Sequence, residues 1–274
     1  MIFRKTSLRK FYEFGDLYSE EQQSLELFSD VAVSLMASSA ETRLVVQTTE
    51  RIARAFGYPD VQVIVAAGMV CISVKTSGGY QSLTRRGAPH GIQMDVLAEI
   101  TGLCLEAEQG QMSQAAFQDR FRSIRTREIN PLALCFMIGL ATMAFGYLND
   151  GSLLVGASGF LAGFVTMGVR VLLQKYALFP AFVFGFLGFF GTLISYAFGV
   201  YIFHLHQADL VISLVIGVLL LVPGFPFVNG VLDLFKGYYS MAINRLLITT
   251  ILLTAVSLGI TAALYFLPQG FWER

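Results

Sequence analysis

Apolar residues recur along this chain in two rhythms, and the change between them falls near position 130. From about Ser24 to Phe56, Phe28, Val31, Leu35, Val45, Ile52 and Phe56 return at steps of three and four. That spacing predicts a helix with one apolar face. Ser38, Thr42 and Thr49 interrupt the stripe in its middle. Such an interruption has two readings, a pocket lined by hydroxyls or packing against a polar loop. Gly57-Tyr58-Pro59 stops the helix. Val61–Ala66, Met69–Lys75 and Tyr80–Arg85 then read as strands, the last two joined by a turn at Thr76-Ser77-Gly78-Gly79. Helices are predicted over about Asp95–Gln109, ended by Gly110, and Gln114–Thr126, capped by Ser113. This is the pattern of a small α+β domain with a single core.

After position 130 the period disappears into long apolar runs. Five are predicted as spans, at about Pro131–Leu148, Ser152–Leu173, Phe179–Phe203, Leu210–Val228 and Ile243–Leu267. Each approaches the roughly 20 residues a helix needs to cross a bilayer. The connections are short: Asn149-Asp150-Gly151, a stretch around Lys175, His204–Asp209 and roughly Asn229–Asn244. The expected fold is therefore an N-terminal cytosolic α+β domain followed by an all-α bundle of five transmembrane helices. Its divisions are an arm at 1–22, a domain at 23–129 and a membrane domain at 130–270.

Charge sharpens this division. Of 19 Lys and Arg and 19 Asp and Glu, only nine fall after position 130, while mean hydropathy over the whole chain is a moderate +0.62. The Arg120, Arg122, Arg125, Arg127 series precedes the first span, Arg170 and Lys175 lie near the second connection, and Lys236 and Arg245 near the fourth. The alternate connections hold Asp150 and Asp209 without Lys or Arg. The positive-inside rule then places the N-terminus in the cytoplasm and the C-terminus outside, with Trp272 as an interfacial anchor. No apolar signal segment follows the basic N-terminus (Arg4, Lys5, Arg9, Lys10). A net charge of zero gives no sign of nucleic-acid binding. Cys71, Cys104 and Cys135 lack metal or disulfide spacing and read as reduced, packed thiols.

Small residues are concentrated in the membrane half, with 17 of 26 glycines after position 130. Gly159 and Gly163 form a G-x-x-x-G pair, and Gly185, Gly188 and Gly191 recur every third residue. They predict close helix packing, within the chain or against another one.

The most specific local feature is Val222-Pro223-Gly224-Phe225-Pro226, followed by Asn229, Asp233, Lys236 and Gly237. Two prolines around a glycine interrupt the fourth span. Broken helices at membrane depth often form transporter substrate sites, because half-helix ends present unpaired backbone groups. A helix restarting after Pro226 sets Asn229 and Asp233 on one face at i, i+4, with its N-terminal dipole suited to a carboxylate. The plainer reading is a proline kink near the cytosolic interface with Asp233 paired to Lys236. Arg170 either snorkels to the interface or lines a cavity.

These residues carry a resemblance. Leu221-Val222-Pro223-Gly224-x-Pro226-x-x-Asn229-x-x-x-Asp233-x-x-x-Gly237, with Arg245 downstream, resembles the signature of the threonine/serine exporter family of bacterial efflux proteins. Ser38-Ser39-Ala40-Glu41-Thr42, Thr48, Arg51-Ile52-Ala53 and Gly57 resemble that family's Ser-Gly-Ala-Glu segment and the helix after it, and Thr84-Arg85-Arg86 with Gly91 also fits. The chain departs at Ser39, where the family has glycine, and at Leu44 and Val46, where it has arginine and glutamate. The resemblance implies export of threonine and serine, or of succinate or a similar dicarboxylate in two-part systems. It also implies a small five-span partner subunit, whose inverted spans complete an inverted repeat, with further oligomerisation possible.

Catalysis finds little support in the residues. His90 is the single histidine before the membrane half, and no phosphate-binding loop or metal-spaced cluster is present. The expectation is thus a secondary efflux subunit of the bacterial inner membrane, without cofactor or metal. Pro223, Gly224, Pro226, Asn229, Asp233 and Arg170 are its candidates for substrate or proton contact. Glu41, Arg85 and Arg86 are the candidates in the cytosolic domain. The rival expectation is a membrane-anchored metabolite sensor.

Overall fold

A computed structural model of the chain describes residues 20–87, 91–125, 129–149, 151–176, 178–219 and 221–268. The expectations attached to the basic N-terminus, His90, Arg127, Asp150 and Trp272 fall outside these residues. The chain divides into two compact units, one built from Thr6–Arg127 with Phe225–Leu246 and the other from Glu128–Gly224 with Leu247–Arg274.

In the first unit, two helices occupy the region where one was expected. α1 spans Glu20–Ala37 and α2 spans Thr42–Ala55. The break between them is an elbow at residues 38–41, in which Ser39 takes a left-handed φ of 67°. A left-handed residue cannot continue a right-handed helix, and it costs an L-residue with a side chain roughly 1–2 kcal/mol. Glycine avoids that cost, which accounts for the glycine that the resembling family carries here.

Three antiparallel strands follow in the order β1-β2-β3: β1 at Val61–Ala66, β2 at Met69–Thr76 and β3 at Gly79–Arg86. Val63 faces Ile72 across the first pair, and Ile72 faces Leu83 across the second. Alternation sends Val61, Val63 and Val65 inward with Val70, Ile72 and Val74. They meet Phe28, Val31 and Leu35 of α1 and Val45 and Ile52 of α2 in one core.

α3 at Met94–Glu108 and α4 at Gln114–Ser123 close this core with Ile100 and Phe117. Ser113 caps α4 by accepting from the Ala116 amide at 3.3 Å, as its sequence position predicts. Met241, more than a hundred residues further along, is part of the same core.

The second unit is helical. α5 covers Pro131–Leu148, α6 Leu153–Gln174, and α7 Pro180–Ala197, which continues as a π-helical turn at Phe198–Ile202. α8 covers Gln207–Leu219. Proline at the first position starts α5 and α7, where its missing N–H has no intrahelical partner in any case.

The fourth expected span is interrupted, as its prolines require. A new helix, α9, runs over Gly224–Phe235 and holds Pro226 in its first turn. The expected loop at 229–244 is mostly absent, since α9 reaches Phe235 and α10 begins at Tyr239 and runs to Phe266. Gly237, at φ 82°, makes the tight turn between them. Among the described residues, four helices (α5, α6, α7 with its π turn, and α10) are long and apolar enough to cross a bilayer, or five spans if α8 and α9 count as one broken span.

Glycines in the membrane-helix unit permit close approach within the chain. A Cβ at Gly163 would lie 2.5 Å from the Thr142 hydroxyl, and one at Gly188 would lie 2.8 Å from the Val256 carbonyl. These contacts join α5 to α6 and α7 to α10.

Candidate functional site

The polar residues after the helix break have their bonding partners within the α+β unit. They clamp the α1–α2 elbow, residue by residue. The Asn229 side-chain amide donates to the Ser39 carbonyl at 3.0 Å. Arg245 donates to the Ala40 carbonyl at 2.7 Å. The Lys236 ammonium pairs with Glu41 at 2.6 Å. Asp233 receives two bonds from Thr42, one from its backbone N–H at 3.2 Å and one from its hydroxyl at 2.9 Å. The carboxylate also faces the Arg245 guanidinium, 3.3 Å from Nε.

Local structure explains the clamp. Asn229 and Asp233 stand one turn apart on α9, so both reach the same neighbour. The elbow exposes consecutive backbone groups because Ser39 has left the helix. α2 starts at Thr42 after Glu41, whose own side chain makes no capping bond. Asp233 supplies the missing cap from 191 residues away. A carboxylate at a helix N-terminus satisfies an otherwise unpaired N–H and meets the positive end of the helix dipole.

Asp233 is fully buried and Asn229 nearly so, at 0% and 8% exposure. Burial of a carboxylate is tolerable only with such partners. The expected pairing of Asp233 with Lys236 does not form, because Lys236 turns to Glu41 while Arg245 takes Asp233. The helix N-terminus that Asp233 meets is that of α2.

The sequence candidates thus separate into groups. Asn229, Asp233 and Glu41 come together at the elbow, joined by Thr42, Lys236 and Arg245, which were not among the candidates. Pro223 lies in the break, and Gly224 and Pro226 open α9. Arg85 is elsewhere, paired with Asp30 and lying 3.9 Å from Glu26. Arg86 is exposed at the end of β3, opposite Met69.

Arg170 belongs to the membrane-helix unit, where it lines a small cavity and sits 5.3 Å over the Phe184 ring. Among the polar stripe residues, the Thr42 hydroxyl serves Asp233, while Thr49 donates to its own helix at Val45.

Away from the elbow, bonds from the Ser77 amide and hydroxyl hold Glu21 below its ordinary 4.5, and Arg120 does the same for Glu106. Burial pushes the Cys104 thiol upward. All three cysteines are free thiols. Among the described residues, no group of three or more His, Cys, Asp or Glu could hold a metal.

Several helices long and apolar enough to cross a bilayer define a multi-pass membrane protein. The family model described as "Putative threonine/serine exporter" matches residues 26–267, and the chain belongs to that family. It is similar to "Probable succinate transporter subunit YjjP" of Klebsiella aerogenes, 29% identical over 247 residues that cover 90% of this chain and 95% of the relative. The protein of the same name in Escherichia coli K12 is 28% identical over 250 residues, covering 90% of this chain and 96% of the relative. No solved structure matches the chain.

Proposed function

We propose that this chain is one subunit of a secondary exporter that moves a small carboxylate-bearing metabolite across the bacterial inner membrane. Succinate or a similar dicarboxylate is the favoured cargo, with threonine and serine as the alternatives that the family's name brings. The observation that carries the reading is the interrupted fourth span, with its polar face engaged, in a chain of four further membrane helices. The basic residues Arg120, Arg122 and Arg125, then Arg170 and Lys175, then Lys236 and Arg245 orient the N-terminus to the cytoplasm. The word "subunit" in the relatives' names supports a partner chain, and a small five-span one of opposite orientation would complete an inverted repeat.

The roles of the site residues follow from what each atom can do. Asp233 is the candidate proton carrier, because protonation cancels its ion pair with Arg245 and weakens its hold on Thr42. Asn229, Lys236 and Glu41 keep the elbow in register while this happens. The chemistry is transport, driven by a gradient, and not bond-making.

Efflux from loaded cells or vesicles containing the chain and its partner tests the reading, with succinate, threonine and serine compared. Export of none of the three rejects it. Normal export by a correctly inserted Asp233→Asn variant removes the proton role alone. The sensor alternative rests on one observation, an open groove of about 670 Å³ in the α+β unit, lined in part by Tyr58, Lys75 and Gln114. Metabolite binding there without any transport would favour it.

A further inference from the structure

Hydroxyl groups inside membrane helices ordinarily bond to a carbonyl one turn back, since lipid offers nothing else. Thr192 does so, donating to Gly188 at 2.8 Å. Thr142 donates to the Gly139 and Gly159 carbonyls, each at 2.8 Å, and Ser158 and Ser213 bond to each other at 2.8 Å. Two hydroxyls break the pattern. Thr166 on α6 and Ser195 on α7 are buried, at 4% and 0% exposure, and neither has a hydrogen-bond partner among the described residues.

Thr166 lines a small cavity, and Ser195 packs against Gly217, which borders it. Thr166 Oγ1 lies 3.3 Å from where a Cβ on Gly191 would stand, and the Ser195 hydroxyl fills the space a Cβ on Gly217 would need. Gly217 in turn borders a cavity of about 20 Å³, which Gly163, Thr166 and Arg170 line between the apolar walls of Ile138 and Leu221. That is room for one oxygen-sized group. Thr166 and Arg170 stand one turn apart on α6, so hydroxyl and guanidinium share the cleft. Arg170 makes no ion pair with a carboxylate among the described residues; its observed neighbour is the Phe184 ring. A cation within a span is costly and marks a functional site unless it is paired.

We propose that Arg170 and Thr166, with Ser195 beside them, form the subsite that takes a carboxylate group of the transported ligand. The assignment rests on the exporter reading and deepens it. A carboxylate oxygen entering the cavity would accept from Thr166 and meet the guanidinium, so the ligand supplies the negative charge the cleft lacks. The lining holds no Asp or Glu, so nothing there pairs with the ammonium of an amino acid. The subsite therefore favours the end of a dicarboxylate over a zwitterion.

Two measurements on the full chain with its partner test this, both with succinate as the probe. In the first, Thr166→Cys is placed in a background with Cys71, Cys104 and Cys135 replaced by alanine, and a charged, membrane-impermeant thiol reagent is applied. Labelling that succinate slows is expected; no labelling, or labelling that succinate leaves unchanged, overturns the subsite. In the second, succinate efflux is followed as a function of concentration. Thr166→Val should raise the half-saturating concentration about tenfold, Arg170→Gln by more, and Arg170→Lys by less than Arg170→Gln, since bonds to charged groups carry factors of this order. If the wild-type chain exports succinate and all three variants match it at equal protein levels, the subsite is wrong and the exporter reading stands. If the wild-type chain exports no carboxylate, the exporter reading fails, and the labelling result still decides whether the cleft receives one.

Discussion

At the α1–α2 elbow, the Ser39, Ala40, Glu41 and Thr42 groups each meet a partner from α9, α10 or the turn between them, and Asp233 is held from three directions. Around Gly217 in the membrane-helix unit, the Thr166 and Ser195 hydroxyls are equally buried and meet none among the described residues. A satisfied buried network fixes one arrangement and resists change. Polar groups left unsatisfied in an apolar setting raise the energy of the empty state, which a ligand then relieves. The elbow cluster therefore suits a joint, which protonation of Asp233 would loosen, and the cleft suits the ligand group proposed for it.

Stability measurements on the solubilised protein should separate them. Asp233→Ala should have the largest effect, about 3–5 kcal/mol of destabilisation, because it removes the carboxylate ion-paired with the largely buried Arg245 and leaves α2 without its cap. Thermal unfolding in nanodiscs checks this, and a loss under about 1 kcal/mol would dissolve the contrast. Lys236→Ala, at a partly exposed pair with Glu41, should cost only about 0.5–1 kcal/mol in the same assay. Ser39→Gly should stabilise by about 0.5 kcal/mol, as relief of the left-handed backbone outweighs loss of the 3.1 Å bond to the Gly91 carbonyl. Thr166→Val should change stability least, staying neutral or slightly stabilising, because the hydroxyl it removes has no partner to lose.

A pH effect belongs to neither cluster and serves as a control. Glu21 holds the β2–β3 turn through the Ser77 amide and hydroxyl, and its folded carboxyl lies below 4.5. The tether contributes above 4.5 and is lost as pH falls through that lowered value. Protection of the Ser77 amide, taken relative to its intrinsic exchange rate at each pH, should fall in that acidic range, and Glu21→Gln should remove that pH-dependent loss.

The first three apolar runs were legible to within one residue, Pro131–Leu148 being reproduced and the second shifting by one at each end, whereas the fourth, expected to reach Val228, stops at Leu219. Strand boundaries hold equally well, since β-branched alternation and the glycine turn are local signals. The single helix over 24–56 failed because its stripe continues in phase across an elbow that only Ser39's backbone reveals. The polar stretch at 229–244 resembled a loop because Asn229, Asp233 and Lys236 look solvated until their distant partners are known.

The spacing of Asn229 and Asp233 was readable, and so was the segment from Ser38 to Thr42. Nothing in a linear pattern, however, tied one to the other across 191 residues. Arg245 and Thr42 stood inside the quoted motifs, and the available signal was that two distinctive segments in one chain invite being placed together. Thr166 and Ser195 carried no signal at all, because the lack of a partner is visible only in three dimensions.

One practical consequence comes from Met241 and Asp233, which belong to the α+β unit although they lie far downstream. Cutting the chain near residue 129 to make a water-soluble fragment would strip a plug from its interior and the terminator from its second helix. A fragment fit for crystallisation or ligand screening needs the 225–246 hairpin spliced back on, with its outward apolar surface redesigned.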